Sequence, residues 1–282
     1  MPKKETYTHS ITPRDKLFDL RLRDIWNFRD LLLLFVHRDF VAFYKQTILG
    51  PLWFFIQPLL TTIVFTIIFG NIAKIPTDGL PPILFYLAGV TSWQYFAECF
   101  KKTANSFTLN ASIFGKVYFP RAIVPLSVTI TNLIAFGIQF LLFIVFLIYF
   151  NLNGSSVQPN IYILLFPILV LMMGIMGLGL GMLVSAMTTK YRDLQFLVAF
   201  GVQLLMYATP VIHPISSIPD KYQWIIMANP MTSVIETFRF SFLGAGNLNW
   251  YGLAYSLVFT IAIFVLGLLV FNRTEKNFMD TV

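Results

Sequence analysis

Six long apolar segments divide this chain and constrain its fold more than any other feature. Each is close to the roughly 20 residues that a helix needs to cross about 30 Å of hydrocarbon. Of the 282 residues, 57% are hydrophobic and 12% are charged, which is more apolar surface than one water-soluble core of this length requires. We predict an all-α polytopic membrane protein with six transmembrane helices, at 52–69, 83–100, 123–150, 161–187, 194–212 and 253–271.

The distribution of Lys and Arg among the connecting segments orients these spans. With both termini in the cytoplasm, 17 of these residues lie inside and three outside, and cytoplasmic loops carry such an excess. The opening MPKKETYTHSITPRDK has no apolar stretch, so we expect no cleaved signal peptide. The net charge of +7 is explained by topology, and we expect no nucleic-acid partner. The predicted divisions are a cytoplasmic tail and interface helix at 1–50, a transmembrane domain at 51–272 and a cytoplasmic tail at 273–282.

A basic amphipathic segment precedes the first span. It contains an apolar run of six residues, which is too short to cross the bilayer. We predict an interface helix along the cytoplasmic membrane surface, with its arginines directed at membrane lipid phosphates or at a partner protein. The residues assigned to it are Arg21, Trp26, Phe28, Arg29 and Arg38.

Basic and aromatic residues cluster between the second and third spans, in NASIFGKVYFPRAIVP at 110–125. A solvated loop has little reason to display three aromatic side chains, whereas a docking surface uses aromatic anchors with basic residues around them. Pro120 ends this segment before the next span. We predict a short helix that docks a cytoplasmic partner through Asn110, Phe114, Lys116, Tyr118, Phe119 and Arg121.

The outside segment 213–249 is too long for a simple turn. Its two apolar patches are each shorter than a span, which indicates short re-entrant or interfacial helices. Asn229 and Gly244 are typical end residues for the second helix, on which Glu236 and Arg239 are placed to pair. The segment is either a lid on the outer membrane surface or a gate at the exit. The gate residues we select are Tyr222, Trp224, Pro230, Glu236 and Arg239.

The predicted spans lack the groups that independent energy coupling or catalysis requires. The third to sixth spans contain no Asp, Glu, Lys, Arg or His, although ion-coupled transporters keep such groups at membrane depth. Glu98 precedes Lys101 and Lys102 by about one helical turn, which predicts an interfacial ion pair. Gly115-Lys116 lacks the Ser or Thr of a P-loop, and there is no HExxH motif. We predict no enzymatic activity, no cofactor and no metal site in this chain.

Small residues line one face of the fourth span. Gly174, Gly177, Gly181 and Ser185 are three or four residues apart, so another helix can approach closely. Aromatic residues, 17% of the chain, mostly suit lipid contact and membrane interfaces. Those at membrane depth would also stack on sugar rings if the cargo were a glycan. The candidates by depth are Trp53, Tyr86, Trp93, Tyr95 and Tyr207.

Five blocks of the sequence resemble the ABC type-2 permeases that export polysaccharide, including O-antigen, capsule and teichoic-acid exporters. Their order and spacing agree from about residue 20 to the C-terminus. Phe43 departs from the pattern, because relatives often have Arg immediately before the Tyr-Lys-Gln block. The blocks are FVAFYKQTILGPLWFFIQPLLTTIVFTIIFG at 40–70, LAGVTSWQYF at 87–96, NASIFGKVYFPRAIVP at 110–125, TTKYRDLQ at 188–195 and NPMTSVIETFR at 229–239.

The resemblance implies a homodimer bound to two separately encoded ABC ATPase subunits, which bind ATP and Mg²⁺. It implies export of a lipid-linked polysaccharide across the inner membrane of a bacterium. In such permeases the segments matching 20–43, 110–121 and 215–245 are the interface helix, the coupling helix on the ATPase and the gate helices.

Three alternatives remain at this point. A type-2 permease for a drug or another lipid would carry the same blocks. An ion-coupled flippase acting alone would need intramembrane acids. A membrane-embedded glycosyltransferase would need a carboxylate or metal site, and Asp78 and Asp193 are isolated in the sequence.

Overall fold

The computed structural model describes residues 22–45, 47–114, 119–188, 191 and 193–277, which form helices and their connections without a β-strand. The α-helices in these ranges are α1 Leu22–Asn27, α2 Arg29–Lys45, α3 Trp53–Phe65, α4 Pro82–Ala104, α5 Ser106–Phe114, α6 Ile123–Leu152, α7 Phe166–Thr188, α8 Leu194–Tyr207, α9 Asp220–Met227, α10 Pro230–Leu243 and α11 Trp250–Asn277. A 3-10 turn at Gly50–Leu52 precedes α3, a π-helical stretch at Thr66–Ile72 extends it, and 3-10 turns at Ile161–Leu165 and Ile215–Ser217 precede α7 and α9.

Four helical stretches of the described chain are long and apolar enough to cross a membrane, at Gly50–Ile72, Ile123–Leu152, Ile161–Thr188 and Trp250–Thr274. They correspond to the first, third, fourth and sixth predicted spans. The second predicted span lies in α4, which has 23 residues but is less apolar, and the fifth lies in α8, which has 14. The all-helical class is confirmed, and the count of six spans stays a prediction.

Helix α4 is less apolar because protein surrounds it. It packs against α3, α6, α7 and α10, and most of its side chains are buried. Polar residues such as Thr91 and Ser92 therefore lie in the interior and not against lipid. Ser92 Oγ donates to the carbonyl oxygen of Ala88, so its hydroxyl is satisfied within the helix. A central helix needs less hydrophobicity than its lipid-facing neighbours.

Helix α8 is short because of Pro210. Proline has no N–H to donate to the carbonyl oxygen of Met206, so the regular ladder cannot continue. The Thr209 hydroxyl donates to that carbonyl instead, at 2.6 Å, and α8 ends at Tyr207.

A helix approaches the small-residue face of α7 closely, as predicted, and the structure identifies it as α4. A Cβ atom on Gly177 would lie 2.7 Å from the carbonyl oxygen of Phe96, and one on Gly181 would lie 2.4 Å from Thr103 Cβ. Gly179, on another face, lies equally close to the backbone of α11. Helix α7 therefore approaches both α4 and α11 at backbone distance, which holds these three helices together.

The bundle has two ends of different composition. The α5 end, as we name it, contains α2, α5, the C-terminal turns of α4 and α7 and the first turn of α6. Thr188 Oγ1 donates there to the carbonyl oxygen of Ala104, and the hydroxyl oxygens of Ser106 and Ser185 are 3.2 Å apart. The α10 end contains α9, α10 and the first turns of α4, α7 and α11. All segments predicted to be cytoplasmic and described by the structure lie at the α5 end.

Candidate functional site

Two aromatic side chains of the predicted coupling segment, those of Phe114 and Phe119, point into the protein. Phe114 and Phe119 are each 3% exposed, with ring centroids 5.8 Å apart. Phe114 also contacts Phe107 of α5, which stacks on Phe271 of α11 at 4.4 Å. The prediction that Phe114 and Phe119 form exposed anchors is wrong, because both rings are buried against other aromatic side chains. Their involvement in coupling stays a prediction.

The interface helix packs on the same rings. Phe35 of α2 is buried and meets Phe119 edge to face, with centroids 5.6 Å apart. The Arg38 guanidinium lies 4.6 Å from the Phe35 ring and pairs with Asp39 at 2.8 Å. Arg121 is buried, with its guanidinium 5.4 Å from the Phe114 ring. The two predicted segments thus form one packed unit, which we call the aromatic junction: Phe35, Phe107, Phe114, Phe119 and Phe271.

The remaining described residues of the predicted interface helix lie in α1, at the turn between α1 and α2 and in the first turn of α2. Trp26 is exposed and carries the Arg29 guanidinium 5.8 Å from its ring, while Phe28 is half-buried against the aromatic junction. This division of exposed and buried aromatics is typical of an amphipathic helix at an interface. Arg21, Lys116 and Tyr118 lie outside the described residues.

Leu109 is the surface residue of α5 that sequence reasoning missed. It is 73% exposed, on a face of the helix turned away from Phe107 and Phe114. This position leaves the Leu109 side chain accessible to a partner, in contrast to the buried rings of the same helix. Asn110, the polar candidate beside it, is half-buried and donates to the carbonyl oxygen of Ser106. Helical periodicity within 106–114 could have indicated Leu109 once Phe107 was known to be buried.

The ion pair predicted at Glu98 is present. Lys101 Nζ lies 2.6 Å from one carboxylate oxygen of Glu98 and Lys102 Nζ lies 3.4 Å from the other. Lys102 also donates to Asn132 Oδ1 of α6 at 2.9 Å. A cavity of about 530 Å³ adjoins this group, between α2, α4, α5 and α6. The group anchors α4 to α6 at the α5 end.

At the α10 end, α10 has the predicted boundaries. Asn229 Oδ1 accepts the N–H of Met231 at 3.0 Å, Pro230 occupies the first turn, and Gly244 closes the helix with φ +76°. Most of α10 is buried against α4, α7 and α11. A lid resting on the membrane surface therefore does not describe this helix, because its Phe238 and Phe242 insert among aromatic rings of α6 and α7.

The short helix α9 differs from α10 in exposure. Its Tyr222 and Trp224 both present most of their rings to the surroundings. Tyr222 has the Lys221 ammonium 5.7 Å from its ring centroid. Of the two helices predicted to lie outside, α9 is the one with the exposed aromatic surface expected of a segment at a membrane interface.

Arg239 joins three elements at the α10 end. It is 2% exposed and its Nη1 lies 3.4 Å from Glu236 Oε1, which confirms the predicted pair. Its guanidinium donates to the carbonyl oxygens of Pro210, of Val211 at 2.9 Å and of Phe85 at 3.3 Å. It thereby connects α10 with the first turns of α4 and with the segment after α8. Three backbone carbonyls on one side chain are a network that residue types alone do not indicate.

The five aromatic candidates for a glycan channel do not share a surface. Tyr86, Trp93 and Tyr95 are buried in the core, where Tyr95 lies 5.0 Å from Phe136. Depth in the membrane selected them, but depth does not specify a helix face. Their contribution to a glycan channel stays a prediction. Trp53 and Tyr207 are exposed, on α3 and α8.

Residues 30–243 match the family of ABC-2 type transporters, and the chain belongs to that family. It is 30% identical over 252 residues to an O-antigen export system permease protein of Klebsiella pneumoniae, covering 89% of this chain and 94% of that protein. A protein of the same name from Myxococcus xanthus is 30% identical over 221 residues, covering 77% and 82%. The polysialic acid transport protein of Escherichia coli is 20% identical over 234 residues, covering 83% and 89%. The resemblance to polysaccharide export permeases is thus confirmed along most of the chain.

Proposed function

We propose that this protein is the transmembrane permease subunit of an ABC transporter that exports a lipid-linked polysaccharide across the cytoplasmic membrane of a bacterium. The observation that carries this proposal is the similarity, over 77 to 89% of the chain, to O-antigen and capsule export permeases. A single domain shared with an otherwise unrelated protein would match over only a part of the chain. ATP hydrolysis, with its Mg²⁺, takes place in a partner subunit.

The proposed assembly is two copies of this chain with two cytoplasmic ATPase subunits. Exposed apolar side chains on α8 support a second copy, since Phe196, Leu197 and Phe200 project from a helix too short to span lipid alone. Membrane lipids cover the other apolar faces. The six spans of 51–272, with both termini in the cytoplasm, complete the proposed topology.

Mechanical coupling runs through the aromatic junction. If the ATPase moves α5, the movement acts on aromatic rings that pack against both α2 and α11. The centroids of neighbouring rings are 4.4 to 5.8 Å apart. Close-packed rings transmit displacement because they have little room to yield. The ATPase movement therefore reaches the interface helix and the last span together. At the other end, Arg239 links α10 to α4, so that a shift of the bundle reaches the proposed gate.

Reconstitution tests this function. The permease is placed in liposomes with fluorescent undecaprenyl-pyrophosphate glycan, with and without its ATPase, and movement of the glycan into the lumen is measured. We expect movement with ATPase and ATP only. Transport by the permease alone under a proton or sodium gradient would contradict the proposal. Transport of a lipid without its glycan, at an equal rate, would favour a type-2 lipid permease instead.

A further inference from the structure

A second cavity lies at the α10 end and has a volume of about 280 Å³. Four separate stretches of the chain supply its walls: the loop before α4, the turn at Ile215–Ser217 with α9, the helix α10 and the loop after it. All of them belong to segments that the charge distribution places outside the membrane. The cavity is therefore built by the exit side of the proposed transporter and not by its spans.

Eight of the eleven residues that line this cavity have polar side chains. The lining combines carboxylates, side-chain amides and hydroxyls, with Ile215 and Met227 as apolar members. Carboxylate oxygens accept hydrogen bonds, amides both donate and accept, and hydroxyls do either. Such a set matches the hydroxyl groups of a sugar, while the apolar members suit the C–H face of its ring. The polar residues used below are Asp78, Ser216, Gln223 and Glu236.

Glu236 directs one carboxylate oxygen into the cavity. The residue is 7% exposed, and its Oε1 faces Arg239 at 3.4 Å. Its Oε2 faces Gly246, a lining residue, since a Cβ atom on that glycine would lie 3.0 Å from it. A buried carboxylate oxygen is stabilised only when it accepts hydrogen bonds. A ligand hydroxyl in the cavity would be such a donor.

Asp78 supplies the second carboxylate. Ser216 Oγ donates to its Oδ1 at 2.6 Å, so the carboxylate is held between two loops. The charge of Asp78 faces the cavity, whereas that of Glu236 is paired with Arg239, which lies behind it in the core. The negative potential of the cavity therefore comes from Asp78, and it disfavours phosphates and uronic acids. An uncharged sugar experiences no such repulsion.

We propose that this cavity is an exit-side subsite for an uncharged sugar unit of the exported glycan. The inference rests on the proposed function, because it is the export of a glycan that brings sugars to this face. Asp78 and Glu236 accept hydrogen bonds from the sugar hydroxyls. Gln223 accepts through its side-chain oxygen, because its amide nitrogen already donates to the Ile218 carbonyl and to Asp220. A sugar held here as it emerges favours outward movement, since its return requires those bonds to be broken.

Sugar binding to the intact permease–ATPase complex in nanodiscs tests the proposal. The probes are the methyl glycosides of glucose, galactose, mannose and N-acetylglucosamine, with glucuronate as the anionic comparison, and the readout is saturation-transfer NMR. We expect at least one neutral glycoside to bind and glucuronate not to bind. Asp78→Asn should weaken binding about tenfold. Asparagine has the same size as aspartate and tolerates the left-handed backbone at this position (φ +51°).

Matched variants separate a local effect from loss of folding. Gln223→Ala on α9 should also weaken binding, whereas Lys221→Ala, on the same helix but outside the lining, should leave it unchanged. Equal binding by wild type and Asp78→Asn overturns the proposal, and so does the absence of binding by all four neutral glycosides. If export still proceeds in either case, the subsite fails and the proposed function stands; if export itself is absent, the function fails.

Discussion

The guanidinium of Arg239 lies 3.6 Å from the centre of the Phe85 ring, although 154 residues separate the two in sequence. The stacking places a cation on an aromatic face while its N–H groups reach backbone carbonyls on both sides. No lysine can satisfy the same geometry, because an ammonium is compact and lacks the planar fork. Helix α10 is therefore held to α4 by one side chain with several simultaneous partners.

Arg239→Met should destabilise the protein by about 3–5 kcal/mol, because it leaves Glu236 as an unpaired buried carboxylate. SDS-driven unfolding in mixed micelles measures the change. The double variant Arg239→Met with Glu236→Gln should recover part of the loss, since the uncompensated charge is then gone. A loss below about 1 kcal/mol in the single variant would show that the pair does not hold α10 in place.

Leu109→Asp should reduce both ATPase co-purification and glycan export while leaving the unfolding free energy nearly unchanged. Leu109 is exposed on α5, so in the free permease an introduced charge is solvated by water. In the complex the same charge would lie against the partner surface and weaken binding. Leu152→Asp, at an exposed leucine of the opposite end, is the matched control and should retain ATPase binding. Equal recovery of the ATPase with both variants would remove α5 as the docking helix.

Phe114→Ala should act by a different route from Leu109→Asp. The ring is buried in the aromatic junction, so its truncation leaves a cavity and should cost about 3–5 kcal/mol in stability. Export would then fall together with the amount of folded protein in the membrane, as quantified by fluorescence size-exclusion chromatography. A variant that folds normally but loses the ATPase would show instead that the ring reaches the partner directly.

Local spacing in the sequence determined what could be predicted. The pairs Glu98–Lys101 and Glu236–Arg239, the ends of α10 and the small-residue face of α7 all follow from residues within one or two helical turns. Each is confirmed because a helix fixes the relative directions of neighbouring side chains. These local features account for the helices themselves and for one contact between helices, that of α7 with α4.

Long-range packing determined what could not be predicted. The rings of Phe114 and Phe119 were expected at the surface, yet they are covered by Phe35 and Phe271, which are distant in sequence. The same reason applies to the α4 aromatics, since only the arrangement of neighbouring helices decides which face is covered. Residue type indicates that an aromatic is present for a contact, but not whether the contact is internal or with a partner.

Gly177→Ala should destabilise the protein by about 1–3 kcal/mol, because the added methyl group would lie 2.7 Å from the backbone oxygen of Phe96 and the helices must separate. Gly137→Ala in α6 is the same change with nothing within 4 Å of the new carbon. That control should be neutral or slightly stabilising, since alanine is the better helix former. If the two variants have the same free energy of unfolding, close packing of α4 and α7 is contradicted.

His213, beside the α10 end, should make stability fall in mild acid. Burial lowers its pKa below the usual 6.5, and the nearby charge of Arg239 lowers it further. Above that usual value the imidazole is neutral in both folded and unfolded chains, so stability is constant. As the pH falls below 6.5, the unfolded chain takes up a proton first, and the folded state loses stability until the pH reaches the lower pKa of the folded state.

His213→Gln should remove this pH dependence. The measurement is the free energy of unfolding between about pH 7 and 5, a range that brackets the usual histidine pKa. His37→Gln, at an exposed histidine of α2, is the control and should retain the dependence. If stability in acid is the same with and without the His213 side chain, the imidazole is not buried in its neutral form.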